Sequence, residues 1–132
     1  MARFSPAVID HFSNPRNCGR LDHPDVSAFI GNPVCGDQIL LTAYVRDSVI
    51  TQVCFEAFGC SPALAIASIL TDRLTDMTVS DVTALDAETV LNWSGGLSPD
   101  QRHVAELGAD VARRLVENFR LGRIDEGVHC GE

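Results

Sequence analysis

The spacing of apolar residues predicts a short helix at the start of the chain. Ser5, followed by a proline, is typical of a helix cap and a first helical position. Val8, Ile9 and Phe12 then fall on one helix face, and an Asn-Pro pair just after them ends the helix. A polar, turn-rich stretch follows as far as about residue 25.

The middle of the chain changes to the period of two that is typical of a half-buried β-strand. Alternation runs from Ile39 to Val45 and again from Val49 to Ala57, and a short apolar run precedes it at residues 28–30. The polar residues 46–48 suit a hairpin connection between the two longer strands. We therefore predict a β-meander of about three strands.

Helical spacing returns after the third predicted strand. Ser61 and Pro62 predict a cap and a first helical residue, and apolar residues between 63 and 74 form one face. A second helical stretch is predicted from Ser80. Asp86 is predicted to cap a third, short piece, which a Gly-Gly pair interrupts.

The last segment predicts a long terminal helix. Ser98-Pro99-Asp100-Gln101 has the pattern of a capping box with proline at the first position, and Gly122 is a typical end signal. Four apolar residues share one face of this helix: Val104, Leu107, Val111 and Leu115.

Composition indicates a folded protein of one domain, spanning residues 1–132. Of the 132 residues, 45% are hydrophobic and 21% are charged, which is enough to build a core. No apolar run has the length of a membrane span and no secretory leader pattern follows Arg3, so we expect a cytoplasmic location. The formal net charge of -8 argues against nucleic acid and membrane as partners, and favours a cation or a basic protein surface.

Cysteine usage points away from a disulfide framework. The cysteine count is odd and a reducing compartment disfavours disulfides. No two cysteines have Cys-x-x-Cys spacing, so a metal site would have to join distant segments. The five cysteines are Cys18, Cys35, Cys54, Cys60 and Cys130. We interpret Cys18 and Cys54 as structural or incidental, and nothing in the sequence requires Cys130 at a site.

Cys35 and Asp37 flank a glycine just before the first long strand. Residues two apart in an extended segment point to the same side, and Gly36 allows a close backbone approach or an unusual turn. A soft thiolate beside a hard carboxylate suits zinc or iron. A cysteine in a turn, with no ligand role, explains the triplet equally well.

Cys60 and His103 each fall near the predicted start of a helix, His103 in the second turn of the last one. The positive end of a helix favours the thiolate of Cys60, the form that binds metal. It disfavours the imidazolium of His103 and leaves the neutral ligand form. A buried structural cysteine and a surface histidine are the alternatives. The other histidines are assigned to no site: His11, His23 and His129.

Four segments, in this order and spacing, resemble the IscU/NifU N-terminal family of iron–sulfur cluster scaffolds. The resemblance extends from Phe4 to about Phe119, and the four segments together are specific although each alone is modest. The segments are Val8-Ile9-Asp10-His11-Phe12 with Asn14-Pro15-Arg16-Asn17, then Gly31 to Asp37, then Phe58-Gly59-Cys60 with Ala65 to Ser68, and Leu97 to His103.

The resemblance implies an α+β fold with a three-stranded antiparallel sheet packed against helices. It implies a non-enzymatic role: assembling a transient [2Fe–2S] cluster with sulfur from a cysteine desulfurase, and passing it to acceptor apoproteins. Cys35 and Cys60 match the first two cluster cysteines of the family. Asp37 matches the aspartate that makes the cluster labile, and His103 matches the family's histidine.

Two features depart from the family pattern. The residue after the histidine is a cysteine in the family and Val104 here, where it falls in phase with the apolar face of the helix. Ser98 and Gln101 replace a proline and a lysine of the family's chaperone motif. The second departure argues against recognition by a dedicated Hsp70-type chaperone.

Three hypotheses follow from these residues. The first is a scaffold or carrier that binds iron, zinc or a labile cluster, and four candidate ligands suit a tetrahedral ion. The second is a divergent zinc-containing accessory protein that accepts sulfur from a cysteine desulfurase, as SufU-type relatives do. The third is a hydrolase or transferase with Cys35 or Cys60 as nucleophile and His103 as base, although no oxyanion-hole motif supports it. The sequence leaves open whether the protein forms a homodimer.

Overall fold

The computed structural model describes residues 4–32 and 36–125, and these residues form an α+β fold. Within these described ranges, five helices and three strands follow one another. In chain order they are α1 (Pro6–Ser13), β1 (Val26–Asn32), β2 (Asp37–Arg46), β3 (Val49–Phe58), α2 (Ser61–Leu74), α3 (Val79–Thr83), α4 (Ala87–Ser94), a 3₁₀ turn (Pro99–Gln101) and α5 (Arg102–Leu121).

The strands form one antiparallel sheet in the order β1-β2-β3, which confirms the predicted meander. β2 and β3 are joined by the two-residue turn Asp47-Ser48, whose φ angles are 52° and 63°. Positive φ at both central residues is the mark of a primed hairpin turn, whose twist matches that of the strands. At the far end of the β1–β2 ladder, Asn32 pairs with Asp37.

The core lies between one face of this sheet and the helices α2 and α5. All four apolar residues predicted on the last helix are buried, which confirms that face. Val104 is 0% exposed, so the position that departs from the family pattern is a core position. Most of the largest fully buried side chains come from β2, β3, α2 and α5, and these include Ile39, Leu41, Phe55, Ile66, Leu70 and Leu115.

Helix α1 has the predicted bounds but not the predicted buried face. Ser5 Oγ accepts the N–H of Val8 at 3.1 Å, which confirms the cap. Of the predicted apolar face only Val8 is buried, whereas Ile9 and Phe12 are 45% and 44% exposed. The short helix lies on α2 through the side that carries Val8 and His11, one turn apart, so Ile9 and Phe12 turn towards solvent.

Two helices in the second half begin earlier than the sequence predicted. The cap of α2 is Cys60 rather than Ser61, because the backbone of Cys60 is still extended and its carbonyl already accepts helical N–H groups. Thr78 caps α3 and moves its start ahead of Ser80, since the threonine hydroxyl accepts a backbone N–H of the first turn. Asp86 caps α4 as predicted.

The predicted capping box at the start of α5 is wrong. Residues 99–101 form a tighter 3₁₀ turn and α5 begins at Arg102. The Ser98 side chain makes no capping hydrogen bond, and its hydroxyl donates to the side-chain oxygen of Gln101 at 2.8 Å. As a result His103 lies in the first turn of α5 and not in the second.

Short segments pair with both edges of the sheet. Cys18 pairs with Phe55 in a parallel bridge along β3, and Ile124 pairs with Ser27 in a parallel bridge along β1. Gly122, in the left-handed conformation, ends α5 as predicted and lets the chain turn back towards β1. Across the described ranges, no helix has both the length and the apolar character needed to cross a bilayer.

Candidate metal centre

Three predicted site residues come together at one end of the sheet. Asp37 is the first residue of β2, Cys60 is the cap of α2 and His103 lies at the start of α5. One ligand atom from each side chain, a carboxylate oxygen, the Sγ atom and an imidazole nitrogen, lies within 4.8 Å of the other two. Segments 23 and 66 residues from Asp37 in sequence therefore converge on one point.

Asp37 is the central residue of this group. Its side chain is only 3% exposed, whereas that of His103 is 43% exposed. Asp37 Oδ1 accepts the backbone N–H of Cys60 at 3.0 Å. Its Oδ2 lies 3.1 Å from His103 Nε2 and 3.7 Å from Cys60 Sγ. The carboxylate thus fixes the start of α2 with one oxygen and meets both other candidate ligands with the second.

Gly59 makes this approach of β2 and α2 sterically allowed. Its φ is +136°, a conformation that other residues rarely adopt, and a Cβ atom built there would lie 2.1 Å from Asp37 Oδ1. From the sequence, Gly59 had no predicted role beyond its place in the family resemblance. The signal was its position directly before the candidate ligand Cys60, since a glycine beside a buried polar group often marks a close approach.

The surroundings of Cys60 raise the pKa of its thiol, whereas the sequence predicted that the helix start would favour the thiolate. Burial raises the pKa of the Cys60 thiol, and the nearby Asp37 carboxylate raises it further. The backbone N–H of Ala63, at the start of α2, acts in the opposite direction but does not prevail. Without a metal ion the protonated thiol is therefore favoured, and metal binding would have to displace its proton. A thiol with a raised pKa is also a poor nucleophile, which disfavours the third hypothesis.

A cavity of about 310 Å³ opens beside Asp37 and His103, between the end of β1 and α5. Two acidic residues that the sequence analysis did not single out, Glu106 and Asp110, line it one and two turns along α5 from His103. The sequence feature that could have indicated these two residues is the spacing of positions 103, 106 and 110, which places three polar side chains on one helix face. The lining residues are Ile30, Gly31, Asp37, His103, Glu106, Leu107 and Asp110.

Among the described residues, the two other cysteines, Cys18 and Cys54, are not part of this group. Cys35, predicted as a ligand, lies outside the described residues, and so does Cys130. Cys18 is exposed and pairs along the edge of β3, and Cys54 is half-buried within β3. Burial raises the pKa of the Cys54 thiol.

The donor set fits iron or zinc. Thiolate, imidazole and carboxylate are the side chains that bind these ions, at bond lengths that place neighbouring ligand atoms about 3.3–3.8 Å apart in a tetrahedral site. The separations of 3.1 Å and 3.7 Å from Asp37 Oδ2 are close to that range. Small side-chain adjustments would therefore allow the three residues to share an ion.

Comparisons with known proteins agree with the fold and with the resemblance. The model of the NifU-like N terminal domain matches residues 3–125. The iron-sulfur cluster assembly scaffold protein IscU 1 of Archaeoglobus fulgidus is 37% identical over 130 residues, which are 97% of this chain and 85% of that protein. The scaffold protein IscU of Aquifex aeolicus is 33% identical over 127 residues, which are 93% of this chain and 81% of that protein.

A solved structure supports the fold independently. The crystal structure of a nitrogen-fixing NifU-like protein (N-terminal) from Brucella abortus superposes with a TM-score of 0.73. The superposition covers 89% of this chain and 94% of that one at 18% sequence identity. The predicted three-stranded antiparallel sheet packed against helices is confirmed by this likeness and by the observed topology.

Proposed function

Because this chain belongs to the NifU-like N-terminal domain family, we propose that it is a scaffold or carrier that assembles a labile iron–sulfur cluster and passes it on. The relatives named above are iron–sulfur cluster assembly scaffold proteins. The observation that supports this function best is the convergence of Asp37, Cys60 and His103, whose ligand atoms lie within 4.8 Å of one another.

Cys35 is the fourth ligand in this proposal. It lies outside the described residues, and its assignment rests on its place two residues before Asp37 and on the family pattern. With Cys35 the set contains two thiolates, one carboxylate and one imidazole. Four such ligands suit a tetrahedral iron or zinc ion, or a transient [2Fe–2S] cluster shared among them.

The contacts of Asp37 suggest how the residues act on this cargo. Metal binding requires the Cys60 thiol to lose its proton, and Asp37 Oδ2 accepts the hydrogen bond of that thiol at 3.7 Å. His103 Nε2, at 3.1 Å from the same oxygen, can share that proton. A carboxylate oxygen is also a harder and weaker ligand for iron than a thiolate, so Asp37 favours release.

The proposed partners follow from this role. Sulfur would come from a cysteine desulfurase, and acceptor apoproteins would take the finished cluster. The net charge of -8 favours basic docking surfaces on both. The ligand set fits a single zinc ion equally well, so a zinc-containing sulfur acceptor for a cysteine desulfurase is the second candidate. A cytoplasmic location and a non-enzymatic role remain predictions.

Anaerobic reconstitution with iron and sulfide tests this proposal. The wild-type protein should develop the visible absorption of a cluster, and Cys60→Ser should abolish it. Cys18→Ser is the matched control, because Cys18 is exposed and is not one of the converging candidate ligands, so the spectrum should stay unchanged. One zinc per chain with no cluster would favour the second candidate. A spectrum that survives in Cys60→Ser would refute the site.

A further inference from the structure

Glu106 lies on the same face of α5 as the candidate ligand His103. The two residues are three positions apart, a spacing at which the Cβ atoms of a helix are about 5–6 Å from each other. Side chains of a helix lean towards its N-terminus, so the Glu106 side chain leans towards the turn that carries His103. In di-iron carboxylate bundles, a glutamate and a histidine at this separation supply two metal ligands from one helix.

Both residues line one cavity together with the buried carboxylate of Asp37. This cavity of about 310 Å³ lies between the end of β1 and α5. The Asp37 side chain is only 3% exposed, and its Oδ2 atom lies 3.1 Å from His103 Nε2. An ion bound by Asp37 and His103 would therefore border on the cavity, and Glu106 forms part of the cavity wall.

Glu106 is free to turn towards such an ion. It is exposed, and within the described part of the chain it takes part in no hydrogen bond or ion pair. Its carboxylate is not among the ligand atoms that lie within 4.8 Å of one another, so binding would require a rotation of the side chain. An exposed side chain without a partner changes its rotamer rapidly and breaks no contact when it does so.

Asp110, the other acidic residue of the cavity wall, is held differently. Arg113 donates a hydrogen bond to its carboxylate and forms an ion pair with it. Asp110 also lies about 10 Å from His103 along the helix axis, at the rise of an α-helix, one turn farther than Glu106. Its charge therefore acts on the cavity from a distance, and we do not assign it as a ligand.

We propose that Glu106 is a further ligand of the metal centre and that its carboxylate shifts the preference of the centre towards Fe²⁺ and away from Zn²⁺. It adds a hard oxygen donor to Asp37, Cys60 and His103. Zn²⁺ prefers a tetrahedral set, whereas Fe²⁺ at histidine and carboxylate sites keeps further positions for oxygen ligands. An added carboxylate therefore benefits Fe²⁺ more than Zn²⁺. This ligand role rests on the proposed function, because the other three residues must bind iron for Glu106 to join them.

The effect of a ligand can be separated from that of a nearby charge. Fe²⁺ and Zn²⁺ carry the same charge, so removal of a carboxylate that acts only through its field should weaken the binding of both ions equally. Removal of a ligand weakens the binding of the ion that uses it. A shorter side chain of the same charge keeps the field but loses the bond.

Anaerobic titrations of the metal-free protein against a competing chelator test the ligand. Glu106→Gln should weaken Fe²⁺ binding at least tenfold, the lower end of the effect of groups that support a metal ligand, and Zn²⁺ binding less than about threefold. Glu106→Asp should lose Fe²⁺ affinity to a similar extent although its charge is unchanged. Asp110→Asn is the matched control, because it removes the same charge from the same cavity wall, and it should change both affinities less than about threefold.

The ligand-field bands of bound Co²⁺ give a second readout, because they depend on the number and geometry of the ligands. These bands should change in Glu106→Gln and stay as in the wild type in Asp110→Asn. Wild-type Fe²⁺ affinity in either Glu106 variant would overturn the inference and leave the proposed function intact. Equal losses for Fe²⁺ and Zn²⁺ in Glu106→Gln would also overturn it, since Glu106 would then act through its charge alone. A wild-type protein that binds no Fe²⁺ would overturn both the proposed function and the ligand role of Glu106.

Discussion

At the scale of the residue, one buried carboxylate organises the site. Asp37 is 2% exposed and meets Cys60 through both its backbone and its thiol. Burying a carboxylate costs free energy unless hydrogen bonds or a cation compensate it. The backbone N–H of Cys60 supplies one compensation without metal, and a bound cation would supply the larger one. The geometry therefore couples the start of α2 to metal binding.

Gly59→Ala should disrupt this coupling. The new Cβ would overlap Asp37 Oδ1, so the carboxylate has to move, and the φ of +136° adds backbone strain of about 1–3 kcal/mol. We expect a lower free energy of unfolding in urea and a loss of iron binding in a metal titration.

Gly19→Ala is the control for the strain alone. Gly19 has a φ of +119°, and a Cβ atom there would meet nothing within 4 Å. This variant should lose comparable stability but bind iron as the wild type does. Equal iron binding by Gly59→Ala would show that the position of the carboxylate does not matter.

His11 should make stability depend on pH in the neutral range. Burial against α2 lowers the pKa of His11, whose Nδ1 lies 2.8 Å from Ser68 Oγ. The unfolded chain takes up a proton near the ordinary pKa of about 6.5, and the folded chain resists it, so stability should fall as the pH drops below that value. Urea unfolding between pH 8 and pH 5 would measure this slope.

The matched variants are His11→Asn and His23→Asn. The first should flatten the slope, whereas the second should leave it unchanged because the His23 side chain is 94% exposed. An unchanged slope in His11→Asn would assign the pH dependence to other groups.

At the scale of the element, the crossing of α2 and α5 sets where the ligands of both helices lie. Gly108 stands in the middle of α5, and a Cβ atom there would come within 2.8 Å of Ile66 Cγ2 on α2. The absent side chain lets the two helix backbones approach. Because Cys60 and His103 are at the starts of these helices, the distance between the helices also affects the distance between the ligands.

Gly108→Ala should therefore destabilise the protein although alanine is the better helix former. The gain in helix propensity is about 1 kcal/mol, and overpacking of a closed core costs about 1–3 kcal/mol. Ile66 is 0% exposed and its branched side chain is stiff, so it cannot yield easily. Urea unfolding should show a net loss of stability.

A double-mutant cycle isolates the cause. Ile66→Leu removes the Cγ2 atom that the new methyl group would meet. In that background Gly108→Ala should cost less than in the wild type, with a coupling energy of about 0.5 kcal/mol or more. Additive effects would exclude the helix contact as the reason.

At the scale of the whole molecule, local sequence patterns predicted the strands and the buried helix face, which depend on the burial of regularly spaced residues. Alternation predicted the strands, and helical spacing predicted the buried face of α5, because burial of one face creates those periods. The predicted starts of α2 and α5 differ from the observed ones by one residue or more. The conformations of Cys60 and of the 3₁₀ turn depend on the path of the chain between β3 and the site, which local patterns do not contain.

The site itself was predictable only in part. The residue types and the resemblance indicated Asp37, Cys60 and His103, which the structure brings together. Gly59 allows the close approach of Asp37, and Glu106 lines the cavity beside the site. Both roles depend on contacts between segments far apart in sequence, which no local pattern contains. The raised pKa of the Cys60 thiol depends on such contacts too, because burial and the charge of Asp37 outweigh the helix end.

Asp125 joins the end of the chain's last helix to the sheet, and its charge should contribute to the stability of the whole fold. Arg114 donates a hydrogen bond to its carboxylate and holds its pKa below the ordinary value, and the Phe29 N–H and Asn118 act in the same direction. Since the folded pKa is below the unfolded one, the stabilisation is present above pH ~4 and is lost as the pH falls through the folded pKa. Asp125→Asn should cost about 1.5–3 kcal/mol at pH 7, the range for hydrogen bonds to a charged group. Urea unfolding should show this difference shrinking towards pH 2. Asp22→Asn is the control, because the Asp22 side chain is 93% exposed, and it should not change the free energy of unfolding measurably at either pH. If the loss of stability in Asp125→Asn stayed constant with pH, the shape of the side chain rather than its charge would hold the end of α5 to β1.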